Sequence, residues 1–145
     1  MLSAGAVIGL AGCSAPATSP SGAASQSSAP KPSVKPTFSP VGTANDNVAF
    51  FRSIFEAAIT KEGLNASTEN AAKAVAAAGF DPAGIQYSDN ATAVGMKPDS
   101  VTVAAVFKDK CLIAQYGPGV GGLDISVQPV LVSGGCLLGR SLNHL

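Results

Sequence analysis

Charged side chains are scarce in this chain. They make up 12% of its 145 residues, whereas an average protein has about 25%. Nine Lys and Arg balance nine Asp and Glu, so the formal net charge is zero. A nucleic-acid-binding domain needs clustered Lys and Arg, and so does a polybasic membrane-binding surface. The composition therefore argues against both classes, and we expect no nucleic-acid partner.

Histidine is also scarce, which limits the metal and catalytic sites that the chain can form. His144 is the only His, and protein metal sites usually combine CxxC pairs with each other or with His. A triad of Ser141, His144 and Asp124 would lack a nucleophile elbow, and its His would stand near the chain end. Four acidic residues that could supply a glycosidase pair are spread over predicted helix surfaces: Asp46, Glu56, Glu62 and Glu69. We expect no catalytic residues, no metal and no cofactor.

Apolar runs are short, and none reaches the roughly 20 residues that a membrane-spanning helix needs. Residues 1–12 are nevertheless small or apolar, and Leu10, Ala11 and Gly12 stand directly before Cys13. This pattern is typical of a bacterial lipoprotein signal, in which the Cys receives a diacylglycerol and becomes the new N-terminus. We expect residues 1–12 to be a signal segment and Cys13 to anchor the protein at the extracytoplasmic face of the cell membrane. The alternative is an ordinary secretory signal with an incidental Cys.

The segment before the folded domain has two further features. No Lys or Arg precedes the apolar run, although export signals normally begin with positive charge, so we expect a basic segment upstream of Met1. Ser, Ala and Pro dominate residues 14–40, a composition that buries too little apolar surface to fold. We therefore divide the chain into the signal segment, a disordered tether over residues 13–42, and one globular domain over residues 43–145.

Two cysteines remain once Cys13 is assigned to the lipid. Cys111 and Cys136 form an even pair in an exported, oxidising setting, which favours a disulfide. Closing a loop of about 25 residues stabilises a fold by roughly 3.5 kcal/mol in the chain-entropy model. A reactive or metal-binding pair is the rival interpretation.

Hydrophobic periodicity predicts helices first and strands afterwards. Apolar residues recur at three- and four-residue spacing over residues 45–62, and a small-residue face follows over residues 67–78. Alternating or short apolar runs then predict strands, with Pro129 implying an edge position or a bulge. These strands cover residues 85–88, 101–107, 111–116, 124–132 and 136–138. The fold class is α+β, with two helices packed on an antiparallel sheet of three to five strands. We expect Cys111 and Cys136 to join two adjacent strands.

One Gly-rich loop is the candidate contact surface for a ligand or partner. Gly117, Gly119, Gly121 and Gly122 follow Tyr116 and lead into a strand. A phosphate cradle would need a following helix and a Lys-Ser/Thr pair, and neither is present. Asn-Ala-Ser and Asn-Ala-Thr runs elsewhere match the N-glycosylation pattern. In a bacterial lipoprotein we expect them to be silent.

Several short motifs together resemble a known group of proteins. They are the lipobox ending at Cys13, the Ser/Pro tether, the run Ala-Gly-Phe-Asp at residues 78–81, Cys-Leu-Ile from Cys111 and Cys-Leu-Leu-Gly from Cys136. In these the chain is similar to a family of small actinobacterial lipoproteins with a domain of unknown function, over residues 45–140. The resemblance implies a membrane-anchored, exported domain, and it assigns no activity and no functional residues.

The leading functional hypothesis is a non-enzymatic binding or interaction module of the cell envelope, with an envelope protein as a candidate partner. The lipobox, the tether and the missing catalytic set motivate it. A solute-capture lipoprotein that serves a transporter is the runner-up, and a cell-wall hydrolase is a third class.

Overall fold

The computed structural model describes residues 34–139 and 142–145. The predicted signal segment, Cys13 and most of the tether lie outside these residues. Two helices come first, followed by five strands. Their bounds are α1 (Ala44–Glu62), α2 (Thr68–Ala77), β1 (Ile85–Ser88), β2 (Val101–Phe107), β3 (Lys110–Gly117), β4 (Gly122–Pro129) and β5 (Leu142–His144). Single 3-10 turns lie at Pro82–Gly84 and Pro118–Val120.

Helix α1 begins at a capping box, one residue before the predicted start. The Thr43 hydroxyl accepts a hydrogen bond from the Asp46 amide at 3.3 Å, and the Asp46 carboxylate accepts one from the Thr43 amide at 2.7 Å. The hydrogen bonds from the Thr43 amide and hydroxyl lower the pKa of Asp46. Gly63 ends the helix, with its amide bonded to the Ile59 carbonyl. The helix therefore stops where the sequence predicts.

The packed part of the chain extends upstream of α1. Asn47 is fully buried and bonds the amide and the carbonyl of Ser39 at 2.8 and 2.9 Å. The Phe38 ring packs against those of Phe80 and Phe107, with centroids 4.9 and 5.8 Å apart. Folded structure thus reaches Phe38, before the expected domain boundary at residue 43.

The sheet is antiparallel throughout, with the strand order β4-β3-β2-β1-β5. Helix α1 packs on β3 and β4, and α2 packs on β1 and β2, so both helices cover one face. The small face of α2, with Ala71 and Ala72 buried, allows close approach to the strands. The predicted two-layer α+β fold is confirmed, as is the edge position of Pro129.

The other face of the sheet carries a crossing segment. Strand β4 lies at one edge and β5 at the opposite edge, so the chain between them has to cross the sheet. Residues 130–139, called the strap below, make this crossing on the face away from the helices. Val130 and Leu137 of the strap pack with Ala104 and Ile113 of the sheet. The strap therefore shields the apolar part of this second face.

Two anchors hold the strap. Cys111 on β3 forms a disulfide with Cys136, with Cα atoms 5.5 Å apart, which confirms the predicted bond. The Gln86 side chain on β1 accepts hydrogen bonds from the Cys136 and Leu137 amides at 2.6 and 3.0 Å. Gly135 lies so close to this side chain that an added Cβ would stand 2.8 Å from its oxygen. The backbone N–H groups of Cys136 and Leu137 thus find their hydrogen-bond acceptor in the Gln86 side chain.

The strand predictions for the end of the chain are partly wrong. Residues 136–138 form no strand, because the amides of Cys136 and Leu137 bond Gln86 instead of a neighbouring strand. The disulfide consequently joins a strand to the strap and not two adjacent strands. Strand β4 ends at Pro129 rather than residue 132, and β5 forms where no strand was expected.

Tyr116 occupies the end of the core farthest from the strap anchors. Its side chain is fully buried, and its hydroxyl donates a hydrogen bond to the Ala66 carbonyl at 3.0 Å. The ring centroid lies 5.9 Å from that of Phe55. Burial raises the pKa of Tyr116, and the negative charge of Glu62 adds to the shift. The phenol therefore stays neutral at physiological pH.

Removing the disulfide should lower stability without changing the fold class. For Cys111→Ala/Cys136→Ala we expect the free energy of unfolding to fall by about 3–4 kcal/mol, because the unfolded chain regains the entropy of an open loop. Urea denaturation of the full-length protein measures this change. Cys13→Ala is the matched control and should leave the unfolding midpoint unchanged. An unchanged midpoint for the double variant would contradict the assigned role.

Replacing Tyr116 by Phe should reduce stability and its pH dependence. Loss of the hydrogen bond to Ala66 should cost about 1 kcal/mol at neutral pH. Because the folded-state pKa is raised, the contribution of the neutral phenol is fully present below the ordinary tyrosine pKa of about 10 and is lost as pH rises towards the folded-state value. Tyr116→Phe should therefore lose less stability than wild type between neutral and strongly alkaline pH.

Urea denaturation across that pH range checks this expectation. Tyr87→Phe, which changes the half-buried tyrosine of β1, is the control and should follow wild type. If the free energy of unfolding fell equally with rising pH in wild type and in Tyr116→Phe, the buried phenol would not be the cause of the pH dependence.

Candidate functional site

A cavity of about 130 Å³ lies where two connecting loops meet the end of β3. One wall comes from the α1–α2 connection, which contributes Leu64, Asn65 and Ala66. The β1–β2 connection forms the opposite wall, and Tyr116 and Gly117 close the end. We call this space the loop cavity.

The floor of the loop cavity is apolar and buried. Ala66 and Tyr116 are 1% and 0% exposed, and Val101 is 7% exposed. Leu64 and Pro98 are half-buried and form the apolar part of the rim. Because the Tyr116 hydroxyl is bound to the Ala66 carbonyl, the ring is held in one orientation. An apolar group of a ligand could therefore rest on a preformed surface.

Polar side chains stand at the mouth of the loop cavity. Asn65, Asn90 and Lys97 line it and are exposed. The Asn90 side-chain oxygen accepts a hydrogen bond from the Thr68 amide at 3.1 Å. That bond engages the Asn90 oxygen, and the Nδ2 group has two N–H donors to offer to a ligand. Lys97 likewise offers only donors.

Local hydrogen bonds fix the loop that carries Lys97. The Thr92 amide donates to the Met96 carbonyl at 2.8 Å, and the Met96 amide donates to the Thr92 hydroxyl at 3.1 Å. These bonds close a compact turn that brings the chain back towards β2. Lys97 and Pro98 follow the turn directly and reach the cavity from this side.

The predicted Gly-rich contact loop is a tight turn between β3 and β4. Gly117 has φ 144°, and an added Cβ would collide with the Asp99 carbonyl. The Gly119 amide donates to that carbonyl at 2.9 Å. Gly117 and Tyr116 line the loop cavity, whereas Gly119, Gly121 and Gly122 do not. Close packing against Asp99 explains the two glycines nearest to β3.

Other candidate residues are not brought together. Asp124 lies on β4 and His144 on β5, at opposite edges of the sheet, and Ser141 is outside the described residues. Three strands separate these edges, which puts them roughly 20 Å apart at the usual strand spacing. Asp124 and His144 are therefore too far apart to share a hydrogen bond.

Three of the four acidic residues, Asp46, Glu56 and Glu62, lie on α1, and Glu69 lies on α2. Glu69 pairs with Lys73 at 2.6 Å on the surface of α2, and Glu62 accepts a hydrogen bond from the Ser67 amide at 3.3 Å. Within residues 34–139 and 142–145, no three His, Cys, Asp or Glu side chains are placed to hold a metal ion. In the same part of the chain, no helix combines the length and the hydropathy needed to cross a bilayer.

Larger depressions elsewhere on the domain are more open to solvent. One of about 340 Å³ lies beside the strap, with Gln86, Gly135 and His144 in its lining. Another of about 530 Å³ runs past Phe38 and Phe107. The loop cavity is more enclosed than either, and it combines a buried apolar floor with donors at its mouth.

Sequence reasoning missed Asn65, Asn90 and Lys97 as site residues. The two Asn residues belong to the Asn-Ala-Ser and Asn-Ala-Thr runs that match the glycosylation pattern. In the structure Ser67 caps α2 and Thr92 closes the β1–β2 turn, and each Asn precedes one of these residues by two positions. The signal available in the sequence was that Asn-Ala followed by Ser or Thr occurs twice, once in each loop that lines the cavity.

Comparison with known proteins gives one result. A family model described as a domain of unknown function (DUF6993) matches residues 56–140, which include the whole loop cavity and both disulfide cysteines. No curated protein and no solved structure matches the chain. The expected resemblance to a domain of unknown function is confirmed, whereas the actinobacterial lipoprotein character remains a prediction. Because the match spans more than half of the 145 residues, this protein belongs to the DUF6993 family.

Proposed function

We propose that this protein is a non-enzymatic binding module of the cell envelope that takes a small ligand in the loop cavity. The cavity itself carries the proposal, since a fixed apolar floor and a mouth of donors are the usual parts of a small-molecule site. Its lining residues include no carboxylate, imidazole or thiol. Tyr116 stays protonated, so the lining supports binding better than acid–base chemistry.

The proposed location rests on other features of the chain. Leu10, Ala11 and Gly12 before Cys13 support lipid attachment, with the membrane reached through that anchor. The disulfide between Cys111 and Cys136 supports an oxidising compartment outside the cytoplasm. Together they favour a protein held at the extracytoplasmic face of the cell membrane.

Metabolic labelling tests the anchor. Cells that express the wild type should incorporate an alkyne-tagged fatty acid into this protein, and Cys13→Ala should abolish the label because the acceptor thiol is gone. Cys111→Ala/Cys136→Ala is the control and should label as wild type. Equal labelling of wild type and Cys13→Ala would remove lipid attachment from the proposal.

A small-fragment panel tests the binding site. Neutral, anionic and cationic compounds of benzene size are titrated into the full-length protein at millimolar concentration, and amide chemical shifts are followed by NMR. We expect at least one compound to shift Asn65, Asn90 and Val101 selectively. Val101→Ile adds a methyl group to the floor and takes up space that the ligand would fill. Binding should weaken about fourfold, because the ligand loses the burial of about one methylene group.

Val94→Ile makes the same chemical change at an exposed position outside the cavity lining and should leave binding unchanged. If no compound of the panel shifts the three cavity amides, the proposed binding function is overturned.

A further inference from the structure

We infer that the loop cavity selects a carboxylate that bears one compact apolar group. This inference rests on the proposed binding function and names its ligand class.

The mouth is built to meet an acceptor. Lys97 is the only charged residue of the lining, and neither ion pair in the described part of the chain includes it. The Asn90 oxygen already accepts a hydrogen bond from the Thr68 amide, and the Asn90 Nδ2 group adds N–H donors to the same lining. A carboxylate is acceptor-only when ionised, and it matches a site that presents a cation and an amide donor.

The floor limits the rest of the ligand. Its volume of about 130 Å³ is close to the roughly 150 Å³ of an engineered apolar protein cavity that binds benzene. One aromatic ring or one branched alkyl chain fits that space, whereas a disaccharide or a nucleotide does not. Val101 and the Tyr116 ring supply the contact surface for such a group.

The apolar floor and the exposed lysine set the orientation of the ligand. Ala66, Val101 and Tyr116 are buried and offer a carboxylate no cation, whereas Lys97 is exposed at the mouth. A carboxylate at the floor would lose its hydration without compensation. The ligand therefore enters with its apolar group first and keeps its carboxylate at the exposed end.

Two sources could supply this chemistry. A free small acid would place its whole structure in the cavity. The C-terminal residue of a peptide would place its side chain on the floor and its terminal carboxylate beside Lys97, with the peptide chain leaving through the mouth. Both share the carboxylate and the compact apolar group.

Binding of benzoate, benzamide and benzylamine to the full-length protein tests the selection. The three probes share one ring and differ in charge, and NMR titration gives each dissociation constant. We expect benzoate to bind about fivefold more tightly than benzamide, which is the upper end of the range for one exposed charge interaction. Benzylamine should bind more weakly than benzamide because its cation meets Lys97.

Two substitutions identify the responsible groups. Lys97→Gln should remove the fivefold preference and leave benzamide binding unchanged, and Asn90→Asp should weaken benzoate more than benzamide while its oxygen still accepts from Thr68. Lys61→Gln, on α1 and outside the cavity lining, is the matched control and should change neither constant.

A peptide arm separates the sources. N-acetyl-glycyl-phenylalanine is compared with its C-terminal amide, and preferential binding of the free acid supports a peptide terminus, whereas binding of benzoate alone supports a small acid. Equal affinity for benzoate and benzamide, or a preference that survives Lys97→Gln, overturns the carboxylate assignment while the binding function stands. Absence of any cavity shift overturns both.

Discussion

The disulfide between Cys111 and Cys136 is the constraint on which the second face of the sheet depends. The chain leaves β4 at one edge and has to reach β5 at the other, and the strap is the described part of this connection. Pinning the strap to β3 at Cys111 and to β1 at Gln86 fixes this path at two points. The short strand β5 can then pair with β1, because the strap delivers it to the correct edge in register. Without these anchors, three residues of edge strand would have little to hold them.

Side chains alternate between the two faces of the sheet along β3, and this alternation separates the disulfide from the loop cavity. Cys111 and Tyr116 lie five positions apart on β3, so their side chains point to opposite faces of the sheet. Five residues of strand span roughly 17 Å. Sites at that distance without shared partners contribute to stability nearly independently. Reduction of the disulfide should thus affect the strap and β5 first, and the cavity walls keep their own hydrogen bonds through Thr68, Thr92 and Ala66.

Local patterns were sufficient for the elements that carry their own signals. The apolar spacing after Thr43 located α1, and the alternation from Val101 located β2 at its observed bounds. Strand β5 and the strap could not be read in this way, since what fixes them is Gln86, about 50 residues away in the chain. The loop cavity escaped detection for a similar reason, because Asn65 and Lys97 meet only after the sheet forms. The sequence predicted that Tyr116 stands beside a contact loop. In the structure its ring is buried in the core and forms part of the floor of the loop cavity.

The family match and the anchor occupy different parts of the chain, and this separates the two proposals. The matched residues 56–140 contain every lining residue of the loop cavity and both cysteines of the disulfide, whereas Cys13 and the tether lie before them. The proposed ligand selection by Lys97 and Asn90 would therefore belong to the matched domain, and the proposed membrane attachment would belong to the segment that precedes it. A long tether would let such a domain meet ligands away from the bilayer, where an anionic ligand is not repelled by acidic lipid headgroups. An exposed lysine at the cavity mouth suits that setting, since it attracts the carboxylate without needing to be buried.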